Sequence, residues 1–176
     1  MTASLDKVSF LLVDDNAHML KLIVAMLSGF GAKKIYEAKD ANAAFAKLRE
    51  TPVDIIILDY VMEEEDGVAF MRRLRQGADT PNPYTPVIML TAHSERGRVE
   101  AARDAGVNEF CRKPLSANEL HRKIAAVIDN PRNFIKTGVF LGPDRRRRED
   151  PNFTGTDRRG DRGGDRAGDP SMRRKP

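Results

Sequence analysis

One cysteine in 176 residues excludes an internal disulfide, and the apolar run around Cys111 marks it as a small buried hydrophobe rather than a reactive thiol. No stretch approaches the ~20 consecutive apolar residues that a membrane-spanning helix needs, so no span is expected. The first apolar run is short, contains Asp14 and Asp15 and lacks a small-residue cleavage site, so no secretory signal is expected either. Histidine is scarce, and neither His18 nor His121 has another metal-ligating side chain at a useful spacing. These absences point to a soluble, cytoplasmic chain of one ordinary domain plus an appendage.

Charge is divided unevenly. Residues 131–176 carry 13 Lys+Arg and 7 Asp+Glu, a net of +6, which leaves 17 and 19 for residues 1–130, a net of −2. The basic balance therefore belongs to the tail, and the expected folded part, residues 6–130, is mildly acidic.

Within that part, five strand-like apolar runs are expected at 8–13, 33–37, 53–58, 86–90 and 107–111, alternating with helical patterns. Leu20, Ile23, Val24 and Leu27 share one helix face, and Ala41, Ala44, Phe45 and Leu48 share a second. Met71 and Leu74 anchor a third helix after Asp66-Gly67, and Val99, Ala102 and Ala105 mark a fourth. Leu120, Ile124, Val127 and Ile128 mark a fifth, with Ser116 as N-cap and Glu119 completing a capping box. Gly29, Gly31 and Gly106 lie where helices should stop. The alternation predicts an α/β fold, a doubly wound parallel sheet covered by helices on both faces with right-handed crossovers. Strands lacking strict polar alternation fit burial on both sides. Residues 77–86, with three prolines, predict a surface loop.

The polar residues at the strand ends carry the chemistry. Asp14 and Asp15 follow the first run, Asp59 the third, Thr91 the fourth and Lys113 the fifth. Strand C-terminal ends converge on one crevice in such a sheet, where ligands bind. Alone, Asp14 and Asp15 read as turn or helix-cap residues, and Lys113 as a solvated loop lysine. Jointly, three carboxylates, a hydroxyl and an ammonium in one crevice make a site for a metal ion and a phosphoryl group.

This ordered set, with Lys113-Pro114 and the segment Asp59-Tyr60-Val61-Met62-Glu63-Glu64-Glu65-Asp66-Gly67, resembles the receiver domain of bacterial response regulators from residue 8 to about 128. Glu63 stands where that family usually has proline. The resemblance implies a flavodoxin-like (βα)5 sheet of strand order 2-1-3-4-5. It implies Asp59 as the acceptor of a phosphoryl group from a sensor histidine kinase or phosphotransfer protein. Mg²⁺ would be the cofactor, in a metal site of Asp14, Asp15, Asp59 and the Val61 backbone carbonyl, with Asp15 and Asp59 as direct carboxylate ligands and Asp14 holding a coordinated water. Thr91 and Lys113 would contact the phosphoryl oxygens. Thr91 and Phe110 would form a switch that alters the surface of the fourth helix, fifth strand and fifth helix. Val61 and His93 would border the path of the hydrolytic water and set the phosphoryl lifetime. By default Phe110 is a core aromatic, His93 an exposed loop residue, and Glu63 to Glu65 a solvated acidic rim.

The tail, 131–176, is rich in Arg, Asp, Gly and Pro and is expected to be largely disordered. Phe134, Ile135, Val139, Phe140 and Leu141 are expected to hold its start against the domain. Gly142-Pro143-Asp144-Arg145-Arg146 recurs as Gly155-Thr156-Asp157-Arg158-Arg159, a weak internal repeat. Three functions follow. The first is a stand-alone receiver that signals by binding another protein, with no DNA-binding output domain. The second is a phosphorylation-gated nucleic-acid-binding regulator using Arg145 to Arg148, although the interspersed aspartates and the lone aromatic Phe153 weaken it. The third is an enzyme, a phosphatase of the haloacid-dehalogenase type. That class expects Asp-x-Asp at its nucleophile, whereas this chain has Asp59-Tyr60-Val61, so the chain is expected to be a phosphoacceptor rather than an enzyme.

Overall fold

The computed structural model describes residues 5–77, 80–92, 96–137 and 140–144. His93, Val139, Arg145 to Arg148 and Phe153 lie outside them. Five strands, β1 (Ser9–Val13), β2 (Lys34–Ala38), β3 (Ile55–Asp59), β4 (Val87–Thr91) and β5 (Glu109–Arg112), form one parallel sheet of order β2-β1-β3-β4-β5. Helices α1 (Ala17–Gly29), α2 (Ala41–Glu50), α3 (Gly67–Gln76), α4 (Arg96–Asp104) and α5 (Ala117–Asp129) connect and cover it. The parallel sheet is the doubly wound fold that the alternation of runs predicted, and its strand order is the one that the resemblance to receiver domains implied.

Side chains alternate across the sheet, so each apolar run feeds two cores. Leu11, Val13, Ile56, Leu58, Val87 and Met89 pack with Phe45 of α2, Phe70, Met71 and Leu74 of α3, and Ala102 of α4. Their neighbours Phe10, Leu12, Ile55, Ile57, Ile88 and Leu90 pack with Leu20, Ile23 and Leu27 of α1 and Leu120 and Ile124 of α5. A strand buried on both faces has no position for a polar residue until it leaves the sheet. That is why the polar groups collect at strand ends. Cys111 is fully buried in the second core.

Helix starts are fixed by side-chain caps. Asp40 accepts from the Ala43 N–H and Asp66 from the Ala69 N–H, each at 2.7 Å. Ser116 accepts from the Glu119 N–H at 3.2 Å, the half of the expected capping box that the Ser side chain provides. Gly31 and Gly106 adopt φ of 91° and 94°, the left-handed conformation that a β-carbon disfavours, and turn the chain out of α1 and α4. Gly29 is the last residue of α1 itself.

Strand ends shift from the expected bounds. Asp59 and Thr91 are the last residues of β3 and β4 rather than the first beyond them, and β5 starts at Glu109, two residues after the expected start at Val107. Val107 instead donates its N–H to Ala102 of α4 at 3.3 Å. The Pro-rich loop is only partly a surface loop. Tyr84 is 49% exposed, but Thr85 is buried and the Pro83 and Thr85 carbonyls accept from the buried Arg75 guanidinium at 2.6 and 2.8 Å.

Beyond α5, β6 (Phe134–Lys136) and β7 (Leu141–Pro143) form an antiparallel hairpin. Leu141 is buried, the Phe134 ring meets Tyr84 edge to face at 5.5 Å, and Arg75 lies 5.0 Å above the Phe134 ring. The first compact unit accordingly extends to residue 145, past the compositional boundary at 130. Phe134 and Leu141 are apolar contacts that hold this stretch, and the half-buried Phe140 ring lies against Gly142. Ile135, 41% exposed, faces outward instead, because neighbouring strand residues point to opposite sides. Among the described residues, no helix is long and apolar enough to cross a membrane.

Candidate functional site

The parallel register brings the predicted residues to one end of the sheet. Val13 pairs with Leu58, Leu58 with Met89, and Asp59 with Leu90, so Asp14, Asp59 and Thr91 emerge side by side. Asp14, Asp15 and Asp59 each place a carboxylate oxygen within 4.8 Å of the others. Asp14 and Asp59 are buried, 1% and 6% exposed, whereas Asp15 is open to solvent. Oxygen donors grouped this closely and carrying this much negative charge suit a hard divalent cation.

Lys113 reaches into the cluster from the β5–α5 loop. Its Nζ lies 2.9 Å from Asp59 Oδ1 and 3.4 Å from Asp14 Oδ2. Its backbone N–H donates to the Thr91 carbonyl at 2.9 Å, which ties the loop to the end of β4. One ammonium among three carboxylates leaves the crevice negatively charged. Burial pushes the Asp14 carboxyl above its usual range and the Asp59 charge adds to that rise, against the Asn16 N–H and Lys113, which lower it.

The helix-cap alternative for Asp14 and Asp15 passes to their neighbour, while Asp14 keeps a turn role. Asn16 is the N-cap of α1, its side chain accepting from the His18 and Met19 N–H groups. Asp14 Oδ1 accepts the Asn16 N–H at 2.8 Å. Asn16 carries a recognisable cap signal in the sequence, an Asn directly before a helical face. With the cap supplied by Asn16, both aspartates still reach the crevice, Asp14 through the oxygen that Lys113 approaches.

The β3–α3 loop is fastened at two points. Glu63 donates its backbone N–H to Asp15 Oδ2 at 2.9 Å, a bond that proline at this position could not make. Gly67 donates to the Tyr60 carbonyl at 2.8 Å, and a β-carbon there would stand 2.9 Å from the Asp59 carbonyl oxygen. Glycine at 67 thus lets α3 begin directly against the backbone of Asp59. Val61 lies in this loop with its side chain 53% exposed. Phe110 is half-buried on β5 and packs against the core shared with α4. Its strand partner is Met89, two residues before Thr91 on the same side of β4.

Residues 10–125 match the family model described as the response regulator receiver domain. The chain is 30% identical to the chemotaxis protein CheY-3 of Vibrio cholerae over 130 residues, 73% of this chain and 98% of the relative. It is 32% identical to the chemotaxis protein CheY of Pseudomonas aeruginosa over 119 residues, 68% of this chain and 94% of the relative. Among solved structures, a putative response regulator from Chloroflexus aurantiacus superposes with a TM-score of 0.63 at 26% identity, covering 70% of this chain and 100% of that one. The Vibrio cholerae chemotaxis protein CheY4 shares the fold with a TM-score of 0.63 at 24% identity, covering 68% of this chain and 98% of that one. By the family model across most of its length and by these relatives, the chain belongs to the response regulator receiver domain family.

Proposed function

We propose that this receiver accepts a phosphoryl group on Asp59 from a phosphohistidine of a sensor histidine kinase or phosphotransfer protein. The supporting observation is the Asp59 carboxylate, buried at a strand end, with Lys113 Nζ 2.9 Å away and two further carboxylates alongside. An Asp59 oxygen forms the new O–P bond as the donor's N–P bond breaks. The electron pair of that bond leaves with the imidazole, which takes up a proton. Asp14, Asp15, Asp59 and the Val61 carbonyl would hold Mg²⁺, which supplies positive charge for the transferring oxygens. Lys113 supplies the chain's own cation to those oxygens, and the Thr91 hydroxyl donates to another.

The product is a transient charge of roughly −1.5 to −2 beside Thr91. Thr91 would move to hydrogen-bond it and Phe110 would turn into the space released. The rotamer of Phe110 is set by packing, because it has no hydroxyl. The altered surface would be α4, β5 and α5, read by a partner protein in the manner of a chemotaxis-type cytoplasmic regulator. Val61 cannot orient a water by hydrogen bonding, which favours slow to moderate self-dephosphorylation. The chain is then a phosphoacceptor rather than an enzyme of turnover.

Acetyl phosphate with Mg²⁺ tests the reading by intact mass. One phosphoryl group is expected on the full chain and none on Asp59→Asn. Equal labelling of that variant, or multiple turnover of a phosphomonoester, overturns it.

A further inference from the structure

We propose that the face built by the Pro-rich loop, the end of α5 and strand β6 is a docking surface for an extended segment of a partner protein that inserts one uncharged aromatic side chain. The inference does not depend on chemistry at Asp59, because this face lies at the N-terminal ends of β4 and β5, the far end of the sheet from the crevice.

Three features converge there. The first is a cavity of about 210 Å³, walled by Tyr84, Pro86, Val127, Pro131 and Phe134. A cavity of about 150 Å³ accepts a benzene ring, so the volume suffices for a phenyl side chain against these apolar walls, the polar part of the lining being Asn108, Glu109, Asn130 and Arg132.

The second is an unused donor. Asn108 also lines the cavity and is only 8% exposed. Its Oδ1 accepts from the Val87 N–H at 3.0 Å and Arg75 Nη2 at 3.2 Å, which fixes the orientation of the amide. The amide Nδ2 donates to none of the described residues. A buried donor without an acceptor is costly, and a carbonyl oxygen entering the cavity would satisfy it. The charged groups of the cavity are already paired: Glu109 binds Lys123 at 2.9 Å and Arg132 at 2.7 Å. The free donor is thus a neutral amide, which matches a peptide carbonyl better than an ion.

The third feature separates a polypeptide from a small molecule. In the hairpin, Asp144 donates to the Asn133 carbonyl and Thr137 to the Phe140 carbonyl, each at 2.8 Å. Hydrogen-bonded pairs alternate along an antiparallel ladder, so Ile135 and Gly142 form the next bonded pair. Phe134 and Lys136 consequently turn their N–H and C=O groups away from β7, on the edge of β6 that no other strand among the described residues pairs with. An edge of this kind is a template for one more strand. Tyr84 and Ile135, 49% and 41% exposed, supply apolar surface around it. A strand added to β6 would carry its own carbonyls and an alternating side chain to the cavity.

The test uses the full chain and the peptide acetyl-VTFTV-amide, followed by ¹H–¹⁵N NMR. Saturable shifts are expected at the Asn108 side-chain amide, Val127 and residues 134–136, with at least tenfold weaker binding when the peptide's phenylalanine is alanine. Lys136→Pro removes only an outward N–H and should weaken binding at least tenfold with the spectrum otherwise preserved. Asn108→Asp keeps the acceptor for Arg75 and Val87 but loses the donor, and should do the same. The proposal is overturned by no shifts at millimolar peptide, by shifts mapping elsewhere, or by unchanged affinity in either variant. Benzamide binding as tightly as the peptide would make the cavity a small-molecule site. Shifts at β6 that depend on protein concentration without peptide would make the occupant a second copy of this chain.

Discussion

At the C-terminal ends of the strands three carboxylates face one ammonium, whereas at the N-terminal ends a single buried guanidinium faces only neutral acceptors. Arg75, 3% exposed, makes five hydrogen bonds: to Gly106 O through Nε and Nη2, to Pro83 O and Thr85 O through Nη1, and to Asn108 Oδ1 through Nη2. Those five use every donor that a guanidinium has. Burial draws its pKa down to about 9, which leaves it charged at neutral pH. Charge at this end is complete and fixes structure. Charge at the crevice remains in excess by design of its residues, and excess charge is what a cation and a phosphoryl group can act upon.

The largest contrast comes from removing the central group at each end. Asp59→Asn should abolish phosphoryl uptake with the fold intact. Arg75→Met should leave uptake in place yet lower stability by about 3 kcal/mol, since it strands buried carbonyls and the Asn108 amide oxygen. Chemical denaturation beside intact-mass labelling separates the two, and loss of both properties in both variants would break the comparison.

Lys113→Gln sharpens the account of the crevice. Removing its ammonium deepens the negative charge, so Mg²⁺ affinity by calorimetry should rise about tenfold, roughly 1.4 kcal/mol. Phosphoryl uptake should fall at the same time, because the oxygens lose a cation. Affinity and uptake falling together would contradict separate roles for the lysine and the metal.

Asp14 offers a pH-dependent reading of the same excess. Because folding raises its pKa above 3.8, the fold favours its protonated form. Its contribution to the stability of the metal-free protein is fully present below 3.8 and is lost as pH rises through the folded value. Asp14→Asn should therefore raise the metal-free denaturation midpoint at pH 7 and remove that pH dependence, while weakening Mg²⁺ at least tenfold. In the unaltered chain, Mg²⁺ affinity should fall as the pH drops toward the Asp14 pKa, since the proton competes with the metal.

Glu63→Pro should have the smallest effect. It removes the N–H bonded to Asp15, a loss of about 1 kcal/mol, while proline returns about 0.4–1 kcal/mol through the unfolded chain. Stability should change by less than about 1 kcal/mol, with NMR shifts confined to the β3–α3 loop and Asp15.

The crevice was legible in the sequence because it is written in order along the chain. Polar residues terminating buried strands are visible as interruptions of apolar runs, and a parallel sheet assembles those interruptions at one end. The opposite end carries no such signature. Arg75 reads as one basic residue among several on an amphipathic helix, and only the folded loop and hairpin bury it. Asn108 reads as a polar residue within an expected strand, yet its side chain serves Val87, Arg75 and the cavity. The hairpin has few apolar residues in a segment of disordered composition, and its anchors Phe134 and Leu141 gain meaning only from Tyr84, Arg75 and Gly106 nearby.

Periodicity and strand-end chemistry by themselves determined the parallel α/β class, the helix faces and the residues of the crevice, because each depends on positions local in the chain. Tertiary structure decided which helices cover which face, the transfer of the α1 cap to Asn16, the Glu63–Asp15 tie and the packing of the extension around Arg75. Those features depend on groups distant in sequence meeting within hydrogen-bonding or van der Waals range, which residue order alone does not specify.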